Sequence, residues 1–80
     1  MKYIVFFDNG RDDLREIGVV ESTGLSKEEI RTQIYNVFSK FCEERKYNIP
    51  YVRLWNAEAM THFDVGSWSQ FFRVSPALEF

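Results

Sequence analysis

One cysteine, one histidine, two prolines and four glycines are all that this 80-residue chain holds of the residues that build disulfide frameworks, metal centres and extended loops. A lone cysteine, Cys42, excludes an intramolecular disulfide, and its place inside an apolar helical pattern points to a reduced thiol in an intracellular, cytoplasmic protein. Excess charge of one sign is also missing. Ten Lys and Arg against twelve Asp and Glu leave a formal charge of −2, so composition argues against nucleic acid as a ligand unless a local basic patch forms. No apolar run approaches the roughly 18 residues of a membrane span, and Tyr3 to Phe7, the longest near the N-terminus, is too short for a signal peptide's apolar region. Repeats, low-complexity tracts and linkers are absent. Residues 1–80 are therefore expected to form a single domain without membrane attachment.

Apolar and aromatic side chains are abundant. Hydrophobic residues make up 45% of the chain and aromatics 18%, with eight Phe, four Tyr and two Trp. A chain this short buries only about 60–65% of the surface that it exposes when unfolded, so large side chains must fill its core.

The clearest local signal is Leu25-Ser26-Lys27-Glu28-Glu29-Ile30. Ser26 is placed as an N-cap with Glu29 as its capping-box partner, Leu25 and Ile30 can close a hydrophobic staple, and Glu28 and Glu29 suit the positive end of the helix dipole. Apolar residues then recur at Ile30, Ile34, Val37, Phe38, Phe41 and Cys42, one stripe of a helix from Lys27 to about Lys46. Arg45 and Lys46 suit the negative end of the dipole, and Pro50 bars continuation at Ile49.

Before the helix, Lys2 to Phe7 is apolar on both parities and reads as the core strand of a sheet. Asp8-Asn9-Gly10-Arg11-Asp12-Asp13 is a turn, and Arg15 to Glu21 is a second strand whose Gly18 marks a bulge or the close approach of another backbone. After the helix, Tyr51 to Trp55 alternates, with Val52 and Leu54 on one face and Tyr51, Arg53 and Trp55 on the other. Asn56 to Ala59 connects it to a fourth strand, Met60 to Val65. Trp68 to Val74 reads as a fifth strand, with a single helical turn capped by Ser67 and Gln70 as the alternative. Ser75 to Phe80 reads as a loose tail. The expected fold is α+β: an antiparallel sheet of four to five strands in ββαββ order, with one helix packed on one face as a two-layer sandwich.

A single helix covers one side of such a sheet. Tyr3, Val5, Phe7, Tyr51 and Trp55, with Trp68 or Phe72, are the candidates for the side left open, and a large exposed apolar area on a small protein usually meets a partner. Candidate chemistry is sparse. His62 and Asp64 share a parity, with Glu58 near, but two or three such groups match no metal spacing, and Cys42 reads as a core thiol rather than a nucleophile. The turn at residues 8–13 lacks the terminal glutamate of a calcium loop, and Gly24 before the helix lacks the rest of a phosphate loop. Tyr51, Arg53, Trp55 and Arg73 suggest an aromatic-basic face for single-stranded bases. Asp8, Asp12, Asp13, Glu16 and Glu21 form an acidic first hairpin that could address a basic protein surface.

The segment Phe63-Asp64-Val65-Gly66-Ser67-Trp68-Ser69-Gln70-Phe71-Phe72 resembles a pattern in small proteins of bacteriophages and other bacterial mobile elements. That resemblance implies an accessory protein with no enzymatic residues. The expectation is thus a non-enzymatic protein-interaction module, phage or mobile-element encoded, that inhibits a host defence or regulatory complex. It binds a protein partner through its aromatic sheet face, a sheet edge or its acidic hairpin, with Tyr51, Arg53, Trp55, Trp68, Phe72, Asp12 and Asp13 as the interaction surface. It forms a homodimer by burying its open face or pairing an edge strand, and needs no metal or cofactor. The alternative is a module that binds single-stranded nucleic acid.

Overall fold

A computed structural model describes residues 1–10, 14–49, 52–66 and 71–79. Five strands and one helix follow in the order β1 (Lys2–Asp8), β2 (Leu14–Glu21), α1 (Lys27–Glu44), β3 (Arg53–Ala57), β4 (Met60–Asp64) and β5 (Phe71–Ser75). The strands form one antiparallel sheet in the order β2-β1-β5-β4-β3. The fold is α+β, and the fifth strand expected after the second hairpin forms as β5, which extends the ββαββ order to ββαβββ. β1 lies inside the sheet, but the centre belongs to β5, inserted between β1 and β4.

The helix begins as its sequence dictates. Ser26 Oγ accepts the Glu29 N–H at 3.1 Å, and Glu29 Oε1 accepts the Ser26 N–H at 3.2 Å, so two N–H groups that the helix cannot satisfy are closed reciprocally. Its end differs from expectation. The helix stops at Glu44 with Arg45 as C-cap, so no basic residue stands in its last turn. Lys46 adopts φ 57°, and the Tyr47 N–H reaches the Cys42 carbonyl at 2.9 Å while the Lys46 N–H reaches Glu43 at 3.0 Å. This is a Schellman motif with lysine where glycine is usual. Arg45 instead lays its guanidinium over the rings of Phe7 and Phe41, at 4.9 and 4.4 Å.

Alternation decides which strand residues meet the helix. Tyr3, Val5, Phe7, Val20, Phe63, Phe72 and Val74 are buried in one cluster with Ile30, Ile34, Phe38 and Cys42 of the helix. Phe38 is the hub, stacked on Phe72 at 4.9 Å and tilted against Phe63 at 5.1 Å. Burial of this kind contributes roughly 1.5–3 kcal/mol per large side chain. Tyr3, Val5, Phe7 and Phe72, expected on the open side of the sheet, instead lie in the core with the helix. With both parities of β1 apolar, periodicity alone could not select the covered face.

β2 is kinked where the register to β1 shifts between Val5 and Phe6. Gly18 sits at that kink, and the close approach there is made by the Val37 side chain of the helix rather than by a backbone. The C-terminal segment is not a loose tail. Leu78 is buried, its N–H donates to Thr61 Oγ1 at 2.7 Å, and its carbonyl accepts from Asn56 Nδ2 at 2.9 Å. Thr61 Oγ1 in turn donates to Asn56 Oδ1 at 2.6 Å, closing a small network over the β3–β4 pair.

Candidate functional site

Ladder pairing places the residues of the uncovered sheet face in rows. One row runs Glu16, Phe6, Arg73, His62, Trp55, and the next runs Leu14, Asp8, Phe71, Asp64, Arg53. Arg53, Trp55 and Arg73 thus share this face, as the sequence suggested. Phe6 and Phe71 join them in place of the rings that turned inward. Trp55 is 45% exposed and lies parallel to the His62 ring, with centroids 5.6 Å apart and planes 9° from each other.

Both arginines placed on this face are paired with a carboxylate, and the Nε of Arg73 is buried with no hydrogen-bond partner among the described residues. Arg73 reaches Asp8 at 2.8 Å, and Arg53 pairs with Asp64, whose other oxygen accepts the Gly66 N–H at 2.9 Å. The Arg53 hydrogen bond, then that of the Gly66 amide, holds the Asp64 carboxyl below the usual carboxylate range. A face meant to follow phosphates would leave its guanidinium groups available. Here each has a carboxylate. Asp8 is buried against Arg73 and so leaves the acidic hairpin, Glu21 is bonded to the N-terminal ammonium at 3.0 Å, and Glu16 stays exposed. Asp12 and Asp13 lie outside the described residues, as do Tyr51 and Trp68. Phe72 is 0% exposed, so it is corrected from an interaction surface to the core, where Phe7, Phe38 and Phe41 enclose it.

No catalytic pairing assembles from the candidates. The Nε2 of His62 lies 3.0 Å from the Ala57 carbonyl, while Asp64 is committed to Arg53 and Gly66. Cys42 lies on the helix side of the sheet, opposite His62, and burial pushes its thiol up, away from the reactive thiolate. Among the described residues no group of three or more His, Cys, Asp or Glu is placed to hold a metal ion. No helix among the described residues is long and apolar enough to cross a membrane.

What the structure adds is an edge. β3 ends the sheet, and each of its residues is exposed. On the helix side, Leu54 is 37% exposed and borders a groove of about 460 Å³, lined mainly by Val52, Phe63 and Tyr35 with Glu28 and Arg31 at its rim. The opposite face of the same strand carries Trp55. The sequence marked Trp55 and Arg53 but could not show that β3 is an edge, because strand order depends on where β5 inserts. No protein-family model, curated protein or solved structure matches this chain.

Proposed function

We propose that this chain is a non-catalytic protein-interaction module that binds its partner along the free edge of β3. The observation that carries the reading is the exposure of the whole strand, with an apolar side chain on each face, Leu54 toward the groove and Trp55 toward the open sheet. An unpaired edge offers N–H and C=O groups to an incoming strand, and flanking apolar side chains give that strand something to bury. The other edge is less suited. β2 is bent by its bulge and carries Arg15, Glu16 and Glu21, devices that discourage strand addition.

The likeness of residues 63–72 to bacteriophage and mobile-element proteins makes a bacterial defence or regulatory complex the first target class to test. Capture from a bacterial lysate by the intact chain, compared with Leu54→Pro and Trp55→Ser, tests the reading. Proline at 54 removes an outward N–H that β4 does not use, a position where an edge strand tolerates it. A partner retained by the intact chain and lost with both variants, each still melting cooperatively as a folded chain, is the expected result. Equal retention by all three chains refutes the edge as the binding surface.

A further inference from the structure

We infer that the occupant of the β3 edge is β3 of a second copy, paired antiparallel about a two-fold axis through Trp55. In the isolated chain the second copy covers the surface proposed above, and the inference rests on reading that edge as a binding surface.

Backbone parity determines which groups are available. Glu58 and Ala59 both have positive φ, 56° and 61°, and form a two-residue hairpin turn of the primed kind. Such a turn closes on a hydrogen-bonded pair, here Ala57 with Met60, so Trp55–His62 and Arg53–Asp64 also direct their backbone groups inward to β4. Leu54 and Asn56 therefore turn their N–H and C=O outward, where no described residue meets them. In a pair centred on Trp55, Leu54 of each copy exchanges both backbone bonds with Asn56 of the other. The two Trp55 residues then form a non-hydrogen-bonded pair, the closer of the two antiparallel arrangements.

Charge selects this register and direction. Arg53 opens β3 with its guanidinium paired to Asp64 yet 68% exposed, and Glu58, exposed and without a partner among the described residues, stands just beyond its end. Antiparallel pairing about Trp55 lays Arg53 of each copy beside the Ala57–Glu58 end of the other, so opposite charges meet at both ends of the interface. Parallel pairing brings like charges together. Centring the pair on Leu54 slides Glu58 beyond the start of the other strand, and centring it on Asn56 sets Leu54 against Glu58. The Trp55 register also provides for the open groove. Leu54 comes to lie beside Asn56 of the second copy, and that Asn56 holds the Leu78 carbonyl, so the second copy's C-terminal segment stands next to the groove that Leu54 borders.

Sedimentation of the full chain between about 1 μM and about 1 mM should show a reversible monomer–dimer equilibrium. Glu58→Arg should raise the dissociation constant about tenfold by placing like charges at both ends. Register is read by cross-linking. Paired Cα atoms at a non-hydrogen-bonded site stand about 4.5 Å apart, within disulfide range. Trp55→Cys should therefore oxidise to a covalent dimer, and Ala57→Cys, opposite Arg53 rather than itself, should not; Cys42 is buried and stays out of the reaction. A chain that remains monomeric throughout, or a covalent dimer from Ala57→Cys but not Trp55→Cys, overturns the inference. A monomeric chain whose captured partner is still lost with Leu54→Pro sinks the second copy alone, whereas capture indifferent to Leu54→Pro sinks the edge itself.

Discussion

Gly18 of β2 lies directly beneath Val37 of α1, so closely that a Cβ built at residue 18 would stand 2.6 Å from Val37 Cγ1. The helix rests on the sheet here because one residue has no side chain. Valine in a helix holds one dominant rotamer and cannot easily turn away. Gly18→Ala is therefore expected to destabilise the protein by about 1–3 kcal/mol. Adding Val37→Ala should recover part of that loss, and urea unfolding of the single and double variants measures both steps.

Phe72 and Trp55 separate stability from binding. Phe72 is enclosed by three rings, so Phe72→Ala should cost about 3–5 kcal/mol. Trp55 stands on the open face stacked on His62, and Trp55→Ser should cost about 1 kcal/mol, far less than Phe72→Ala, while weakening association. Thermal melts of the two variants beside their association behaviour test the contrast.

Thr61 is the clasp of the C-terminal segment. Its hydroxyl accepts from the Leu78 N–H and donates to Asn56 Oδ1. Valine has the same shape but leaves both partners unsatisfied, so Thr61→Val should cost about 1–3 kcal/mol. Hydrogen exchange at the Leu78 amide, slow in the parent, should accelerate by more than the global loss of stability explains.

Acid should loosen the β3–β4 pair through Asp64. Its folded-state carboxyl is held low by Arg53, so the stabilisation is present above the ordinary aspartate value of about 3.9 and is lost as pH falls toward the depressed folded value. Glu21, held down to about 2 by Thr23 and then by the N-terminal ammonium, acts in the same sense. Asp64→Asn should reduce the slope of stability against pH below about 4. Chemical denaturation across that range reads the difference, and an unchanged slope contradicts the assignment.

Much of the helix was legible from its residues alone. Ser26 and Glu29 close a box within four residues, and the stripe through Ile30, Ile34, Phe38 and Cys42 has a period that only a helix satisfies. Strand identity was legible to within a few residues. β3 starts at Arg53 and runs to Ala57, because the tight turn at Glu58–Ala59 places Asn56 and Ala57 in the ladder rather than in the loop. Nothing local distinguished the faces of β1. Tyr3, Val5 and Phe7 compete with Ile4 and Phe6 for burial, and only the docked helix chooses between them.

The candidate surface divides in the same way. The residues Arg53 and Trp55 and their shared parity are properties of the alternating sequence, since successive strand side chains point to opposite faces whatever the surroundings. That β3 is an edge, that Asp64 and Asp8 neutralise the arginines and that Phe72 lies in the core are tertiary facts. They follow from β5 entering between β1 and β4, which joins segments distant in the chain. Local patterning selects each element through short-range hydrogen bonds and periodicity. Strand order and covered face emerge only when the elements compete to bury their apolar sides together.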